Sequence, residues 1–594
     1  MPTRNAKIVC TLGPATADAE TVRSLADAGM SVARINTSHG TVESRAALVE
    51  TTQEVGHTHD DPLAVMLDLQ GPDVRTADVD DPVTLEQGST VRLEPGDTVS
   101  PERVGISTSI AAVSPGDRVL VDDGRIETVV EGVEGESVVV RVESGGEVGG
   151  HKGINVPGVD LDLDVVTEKD QADLDLAVEY DVDYVAASFV SSADDVLAVG
   201  SELEARDAAI PLVAKIERAS AVDDLDAIVD AADGVMVARG DLGVECPFED
   251  VPLIQKRIIR AGQEAGTPVI TATEMLDSMV HSSRPTRAEA SDVANAVLDG
   301  TDAVMLSAET AVGDHPVRVV ETMDRIVRQV ERSEEYAELR DQRVPGVSAG
   351  RTDALARSAR YLARDLDASA VVVATESGYT ARALSKFRPA VPIVAATPDE
   401  AVRRRLSLSW GVQAERATYA GGGADAVIEE AVQTSLDAGI VESGDTVVVL
   451  SGMMTELEGA DTTNLLKVHV AAETLAVGRA VVDGRVTGPV EFVEGGTVTD
   501  VPEDAILVLP EGYEGTLAVE DARVGGIVSA DPGLTSYPAM VARELGVPMV
   551  SAASLPASVE AGDVVTLDGE RGTVYAGRIR PAGVSDVPRD VGVR

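Results

Sequence analysis

Apolar, β-branched runs that stop abruptly in charge recur through the first half of the chain. They fall at residues 7–13, 31–36, 63–68, 183–189, 211–217, 234–240, 267–273 and 303–308. A run of this kind predicts a buried parallel strand that delivers functional side chains to one rim of a sheet. The clearest are Pro211-Leu212-Val213-Ala214-Lys215-Ile216-Glu217 and Gly234-Val235-Met236-Val237-Ala238-Arg239-Gly240-Asp241. Between most runs lie helical patterns with acidic starts and Gly or Asn stops, such as Thr16 to Gly29 and Ala221 to Gly234.

Eight strand-plus-helix units are the arithmetic of an α/β TIM (β/α)8 barrel, whose chemistry sits at the C-terminal ends of its strands. One connection is anomalous. After the third run, residues 73–154 read as short strands and turns, with Pro-Gly-Asp at 95–97 and 115–117 and Gly-rich stretches at 132–150. The pattern predicts a small inserted β-barrel domain that could close over the rim and exclude water. Residues 340–350 read as a linker, and 351–476 alternate helix and strand again as an open α/β domain. From about 477 the texture changes to short β-like runs. The expected division is thus 1–72 plus 155–342 for the barrel, 73–154 for the lid, 351–476 for the third domain and 477–594 for an appended one.

Length alone, 594 residues, calls for several cores. The formal charge of −53 would repel nucleic acid and acidic membrane surfaces, so neither is an expected partner. Only seven residues are lysine, the other cations being arginine, and this resembles the composition of proteins from salt-accumulating halophiles. Such a surface repels itself less in strong salt, so stability and activity are expected to fall at low ionic strength. Cys10 and Cys246 are too few for a disulfide framework, and both are expected to be reduced and buried. The start of the chain lacks an apolar signal core and no window is long enough to span a bilayer, so a cytoplasmic protein is expected.

The rim chemistry points further. Lys215, Glu217 and Asp241 on neighbouring strand ends suit a hard divalent cation beside a phosphoryl group: carboxylates hold Mg2+, or Mn2+ in its place, and the ammonium neutralises transferring charge. Ordered motifs surround these residues. They include Thr11-Leu12-Gly13-Pro14-Ala15-Thr16, Arg34-Ile35-Asn36-Thr37-Ser38-His39-Gly40, Asp68-Leu69-Gln70-Gly71-Pro72-Asp73-Val74-Arg75-Thr76, Val121-Asp122-Asp123-Gly124 and Lys152-Gly153-Ile154-Asn155-Val156-Pro157-Gly158. Ala238-Arg239-Gly240-Asp241-Leu242-Gly243, Thr273-Glu274-Met275-Leu276-Asp277-Ser278-Met279 and Arg284-Pro285-Thr286-Arg287-Ala288-Glu289 continue the series. On these motifs the chain resembles the pyruvate kinase family through its first three domains.

The resemblance implies phosphoryl transfer from phosphoenolpyruvate to ADP, giving ATP and pyruvate. It implies that Glu217 and Asp241 hold Mg2+, that Lys215 faces the phosphoryl group and that Arg34 binds it. Thr273, with the amides of Gly240 and Asp241, would receive the substrate carboxylate. Ser307 and Glu309 match residues of the proton-delivery network, with Ala308 where glycine is usual. Asn36, Ser38, Asp68 and the Leu69 carbonyl match a K+ site, where Leu69 replaces a threonine and Asp73 a glutamate. Asn36, His39, Arg75, Asp123 and Lys152 match nucleotide positions. Glu274 stands where glutamine is usual and receives no role.

In the third domain Thr375, Ser377, Gly378 and Thr380 form a turn matching an effector site for a phosphorylated or nucleotide ligand. A simple strand-to-helix turn explains the same residues. A homotetramer is usual among similar proteins. His57, His59, His281, His315 and His469 have no metal-ligand spacing and are expected to be solvated or capping, so zinc is not indicated. In the tail, Gly533-Leu534-Thr535-Ser536-Tyr537-Pro538-Ala539-Met540 resembles the swivelling phosphohistidine domain of enzymes that interconvert pyruvate and phosphoenolpyruvate, with Tyr537 in place of the histidine. A phenol is a poor phosphoryl carrier at neutral pH, so the tail reads as non-catalytic. A dikinase-like enzyme that uses the tail and a catalytically silent barrel are the two competing readings.

Overall fold

The structure is a computed structural model that describes residues 4–79, 81–122, 124–347, 350–419, 423–452, 463–493, 495–498, 501–517 and 524–579. Packing divides the chain into two compact units, Met1–Ser348 with Ala381–Arg388 and Asp399–Ala414, and Ala349–Thr380 with Pro389–Pro398 and Glu415–Arg594.

Eight strands in the first unit close into a parallel barrel: β1 (Lys7–Leu12), β2 (Val32–Asn36), β3 (Ala64–Asp68), β4 (Tyr184–Ala187), β5 (Leu212–Ile216), β6 (Gly234–Ala238), β7 (Val269–Ala272) and β8 (Ala303–Leu306). The ring runs β1-β8-β7-β6-β5-β4-β3-β2, which matches the eight expected runs. Alternation along each strand sorts the side chains. Val9, Val32, Met66, Val213, Met236, Ile270 and Met305 pack together in one cluster, while Ile8, Cys10, Leu67, Val235 and Val269 pack in clusters shared with the helices. Burial on both faces is why these runs are continuously apolar. Helix starts follow the expected capping chemistry: Asp18 accepts the Thr21 amide at 2.9 Å, and Thr286 with Glu289 forms a capping box.

The insertion after β3 is an eight-stranded sheet, antiparallel except where Thr90–Pro95 runs parallel to Arg103–Ile106. A bridge between Thr76 and Ile106 links the two ends of the sheet and rolls it into a small barrel with its own core of Val91, Leu93, Val104, Val119, Val138 and Val140. At the turn of residues 114–117, Gly116 adopts φ +100° and Asp117 accepts the Ser114 amide at 2.7 Å. The expected linker at 340–350 starts later than its polar composition suggests, because a helix Glu334–Gln342, capped by Ser333, occupies its first residues.

In the second unit Ala370–Ala374, Ile393–Thr397 and Asp445–Ser451 form a parallel sheet, and Leu465–Ala471 adds antiparallel to it. A further eight-stranded sheet follows. Its first strand, Thr474–Val477, pairs with Thr573–Ala576, so this sheet begins before the expected border at 477. The run Thr474-Leu475-Ala476-Val477 is apolar like the strand before it, and composition alone does not separate the two.

Cys10 is buried, whereas Cys246 is only half-buried, which corrects the expectation for the second thiol; it follows the short helix after β6 rather than lying in a strand. Among the described residues, no helix is long and apolar enough to cross a membrane.

Candidate active site

The barrel's C-terminal rim gathers charge from several strand ends. Register places Asn36 beside Asp68 on β2 and β3, and Ala186 of β4 beside Asp68. Lys215 and Glu217 leave β5 on the same face because side chains two residues apart on a strand point the same way. The Lys215 Nζ lies 2.8 Å from Glu217 Oε1 and 3.3 Å from Asp68 Oδ1, and donates to Ser188 Oγ at 2.7 Å. Arg34 donates from Nε to Asp68 Oδ2 at 2.6 Å and from Nη1 to Thr11 Oγ1 at 2.8 Å. Its Nη2 makes no hydrogen bond among the described residues.

Burial sets the electrostatics of this cluster. It pushes the Glu217 carboxyl up to about 7, assisted by the like charge of Asp241 and opposed by Lys215. Burial acts the same way on Asp68, but Lys215 and Arg34 outweigh it and hold that carboxyl below its usual range. For the Lys215 ammonium burial works downward, yet Asp68, Glu217 and Asp241 together raise it above an ordinary lysine. The two carboxylates Glu217 and Asp241 are hard oxygen donors whose mutual repulsion favours a cation between them, so the residues fit a divalent ion. Among the described residues, no three His, Cys, Asp or Glu side chains converge as a self-sufficient metal site.

Helix α3 (Arg239–Glu245) starts directly from β6 and carries Gly240 and Asp241. A Cβ on Gly240 would lie 2.8 Å from Thr273 Cγ2, so only glycine admits Thr273 this close. Thr273 and Glu274 both have positive φ, +76° and +55°, a strained pair at the end of β7. Arg239 holds that turn: it donates to the carbonyls of Ala272 at 3.0 Å and Thr273 at 2.7 Å and pairs with Asp292 at 2.7 Å. Ser307 follows β8. Glu309 is buried and accepts the amides of Ser307 at 2.6 Å and Leu276 at 3.1 Å, so its carboxylate braces the two loops.

The other expected residues are distributed as follows. Asn36 Oδ1 accepts the Ser38 amide at 3.1 Å, and the Leu69 carbonyl accepts from Ser188 at 2.7 Å, so these oxygens line one stretch of rim with Asp68. They are the hard donors that K+ accepts. Burial, and then the charges of Arg75, Lys169 and Arg34, lower the pKa of His39, which favours its neutral form within a cationic neighbourhood. Arg75 pairs with Asp73 at 2.6 Å and donates to the His151 carbonyl at 3.1 Å. Lys152, in the inserted domain, pairs with Asp122 at 2.9 Å. Asp123 lies outside the described residues.

In the second unit, Thr375 Oγ1 accepts the Gly378 amide at 3.0 Å, Ser377 Oγ accepts that of Tyr379 at 3.4 Å, and Thr380 bonds to Thr463 at 2.7 Å. Thr375 and Thr380 line a cavity of about 210 Å³ with Tyr419, Val427 and Ser451. Tyr537 is half-exposed and its hydroxyl accepts the Leu517 amide at 3.1 Å.

Sequence reasoning passed over Ser188, Arg239, Lys169 and Arg45. Ser188 was signalled by its place at the end of the fourth run and Arg239 by the motif around Asp241. The other two lie on helices behind the rim, where no strand-end signal reaches.

A carboxylate pair and an ammonium on a TIM-barrel rim, beside an arginine with an open donor edge, define a phosphotransferase of the TIM-barrel class. Residues 3–320 match the model of the pyruvate kinase barrel domain, 353–469 that of the pyruvate kinase alpha/beta domain, and 501–572 that of the PEP-utilising enzyme mobile domain. A pyruvate kinase of Bacillus licheniformis is 40% identical over 584 residues, covering 97% of this chain and 99% of that one. One from Geobacillus stearothermophilus is 40% identical over 593 residues with the same coverage. The crystal structure of a pyruvate kinase from Cryptosporidium parvum superposes with a TM-score of 0.72 at 35% identity, covering 79% of this chain and 96% of that one. The chain belongs to the pyruvate kinase family.

Proposed function

We propose that this chain transfers the phosphoryl group of phosphoenolpyruvate to ADP, giving pyruvate and ATP, the last step of glycolysis. The observation that carries the reading is the Lys215 ammonium held between Glu217 and Asp68 beside Arg34. Arg34 binds the substrate phosphate through its free donor edge, and Thr273 with the amides of Gly240 and Asp241 receives the carboxylate. As the bond from phosphorus to the enol oxygen breaks and the bond to the ADP oxygen forms, Lys215 neutralises the group in transit. The enolate then takes a proton at its methylene carbon through the network that includes Ser307, whose loop Glu309 holds in place.

Glu217 and Asp241 would hold Mg2+ or Mn2+, which supplies Lewis-acid stabilisation of the enolate and phosphoryl oxygens. Asn36, Ser38, Asp68 and the Leu69 carbonyl would hold K+. Asn36 and His39 on the rim, with Arg75, Asp123 and Lys152 of the inserted domain at 73–154, take the nucleotide. Lys152, held by Asp122 at 2.9 Å, keeps further N–H donors for a phosphate, which fits a domain that closes as a lid. The hydroxyls and amides of Thr375, Ser377, Gly378 and Thr380 take a phosphorylated or nucleotide effector. The family resemblance supports a cytoplasmic homotetramer, and the acidic, lysine-poor composition supports a salt-adapted one.

A coupled assay for pyruvate with phosphoenolpyruvate, ADP and Mg2+ in strong KCl tests the reading. Pyruvate formation that depends on ADP supports it. Its absence would leave a silent barrel, and radiolabel moving from phosphoenolpyruvate to the tail would favour the dikinase-like enzyme instead.

A further inference from the structure

The loop after β2 carries Ser38 and His39 onto the rim, and what holds it is buried beneath. Arg45, on helix α1 (Val42–Gly56), is only 3% exposed. Its Nη1 donates to three carbonyls of this one loop, those of Thr37 at 3.4 Å, His39 at 3.3 Å and Gly40 at 2.9 Å. Its Nη2 pairs with Asp173 Oδ1 at 2.5 Å, on helix α2 (Glu168–Glu179). Lys169, one turn earlier on α2, donates to the same Thr37 carbonyl at 2.7 Å and to Gln70 Oε1.

Loop carbonyls normally face water. Turning three of them inward leaves acceptors that need a buried donor, and a guanidinium answers them from Nη1 while its Nη2 holds Asp173, two positions that a single point charge cannot occupy at once. The arrangement is costly. Asp173 is fully buried, and burial pushes its carboxyl above the usual range against the pull of Arg45. A buried ion pair of this kind is weak evidence for net stability, so its worth is sought in the geometry it imposes. The far end of the loop is fixed as well: Gly40 has φ +71° and any Cβ there would lie 2.6 Å from Ser44 Oγ, while Thr41 and Ser44 cap α1 reciprocally. With the carbonyls turned inward, His39 stands among Arg34, Arg75 and Lys169.

We propose that the buried Arg45–Asp173 pair, with Lys169, is the positioning device of the nucleotide end of the active site, fixing the Thr37–Gly40 backbone so that His39 presents to ADP. This rests on the nucleotide role proposed above for His39. Arg45 touches no substrate and acts through the loop.

The test is steady-state kinetics in saturating phosphoenolpyruvate with ADP varied, each variant assayed well below its own Tm. Arg45→Met is expected to raise KM for ADP about 10-fold while kcat stays within about threefold, because binding geometry rather than the transferring group is disturbed. Arg45→Lys keeps a charge against Asp173 and is expected to recover most of the Tm but not the KM, since one ammonium seated against Asp173 cannot also stand where Nη1 meets the loop carbonyls. A purely structural role would move Tm and KM together, so recovery of both by lysine overturns the proposal. So does a folded Arg45→Met enzyme with KM for ADP within twofold of the parent, and where that variant does not fold, Arg45→Lys carries the test. His39→Ala separates the two levels. A raised KM in His39→Ala without one in Arg45→Met overturns the positioning role alone, whereas a normal KM in His39→Ala overturns the nucleotide role of the loop and the positioning role with it.

Discussion

The Lys215 ammonium stands 2.8 Å from Glu217, its neighbour but one just past the end of β5, and each pulls the other toward its charged form against burial. Burial alone would discharge both groups; together with Asp68 and Asp241 they form a buried cluster in which each cation answers a carboxylate.

Replacing Lys215 by Met should therefore act on chemistry first. The point charge is worth most in a dry site, so kcat is expected to fall by about 10³ or more with KM for phosphoenolpyruvate changed much less. Because Arg34 still answers Asp68, the barrel remains folded, and circular dichroism should superpose on the parent. A Lys215→Met enzyme that keeps a tenth of the parent kcat would remove the residue from the reaction.

Gly240 is expected to tolerate no side chain. A Cβ would sit 2.8 Å from the Thr273 methyl, and Thr273 is already held at φ +76° by Arg239, so the turn has little freedom to yield. Gly240→Ala should lower kcat/KM for phosphoenolpyruvate about 100-fold while KM for ADP moves little. An equal rise in both KM values would show instead that the whole rim had shifted.

Much of this architecture was legible in the chain, for a physical reason. A strand buried on both faces must be apolar until it reaches the rim, so charge at the end of a run marks both the strand end and the site, as with Lys215, Glu217 and Asp241, whereas Asp68 and Thr273 take their roles from the family resemblance. The residues that hold the site carry no such mark. Arg45 and Asp173 lie on different helices and meet only in the fold, so no local pattern links them. Glu309, read as part of proton delivery, has both oxygens occupied by the Leu276 and Ser307 amides, a contact that ties the loops after β7 and β8 together and cannot be seen from either segment. Cys246 was expected inside because thiols usually are, but it follows a seven-residue helix at the rim rather than a strand.

The charge of −53 makes a prediction of its own. At about 1 M salt the screening length falls to about 3 Å, so surface carboxylates stop repelling one another, whereas at 0.01 M it is about 30 Å and the repulsion reaches across the molecule. The Tm is expected to rise by at least about 10 °C between 0.1 M and 2 M KCl, and activity lost in dilute buffer should return on adding salt. Differential scanning calorimetry across that range measures it, and a Tm that stays flat or falls would assign the composition to something other than salt adaptation.

Asp183, just before β4, gives a pH dependence whose sign can be worked out. Burial raises its carboxyl to about 6, against the opposing pull of Arg404 at 2.9 Å and the Val65 amide at 2.9 Å. The folded state thus holds this proton more tightly than the unfolded chain, where the value is near 3.8. Below about pH 3 both states are protonated and the group is neutral in its effect; as pH rises the unfolded chain ionises first, and stability is lost until the folded value near 6 is passed, by about 3 kcal/mol once both states are charged. Asp183→Asn can still accept the Val65 amide but has no proton to lose. The unfolding free energy of the parent minus that of Asp183→Asn, from denaturant titrations in constant high salt, should therefore fall by about 2 kcal/mol between pH 4.5 and 7.5. A difference that rises with pH would mean that the Arg404 pairing outweighs burial and that the carboxyl is held below its usual range.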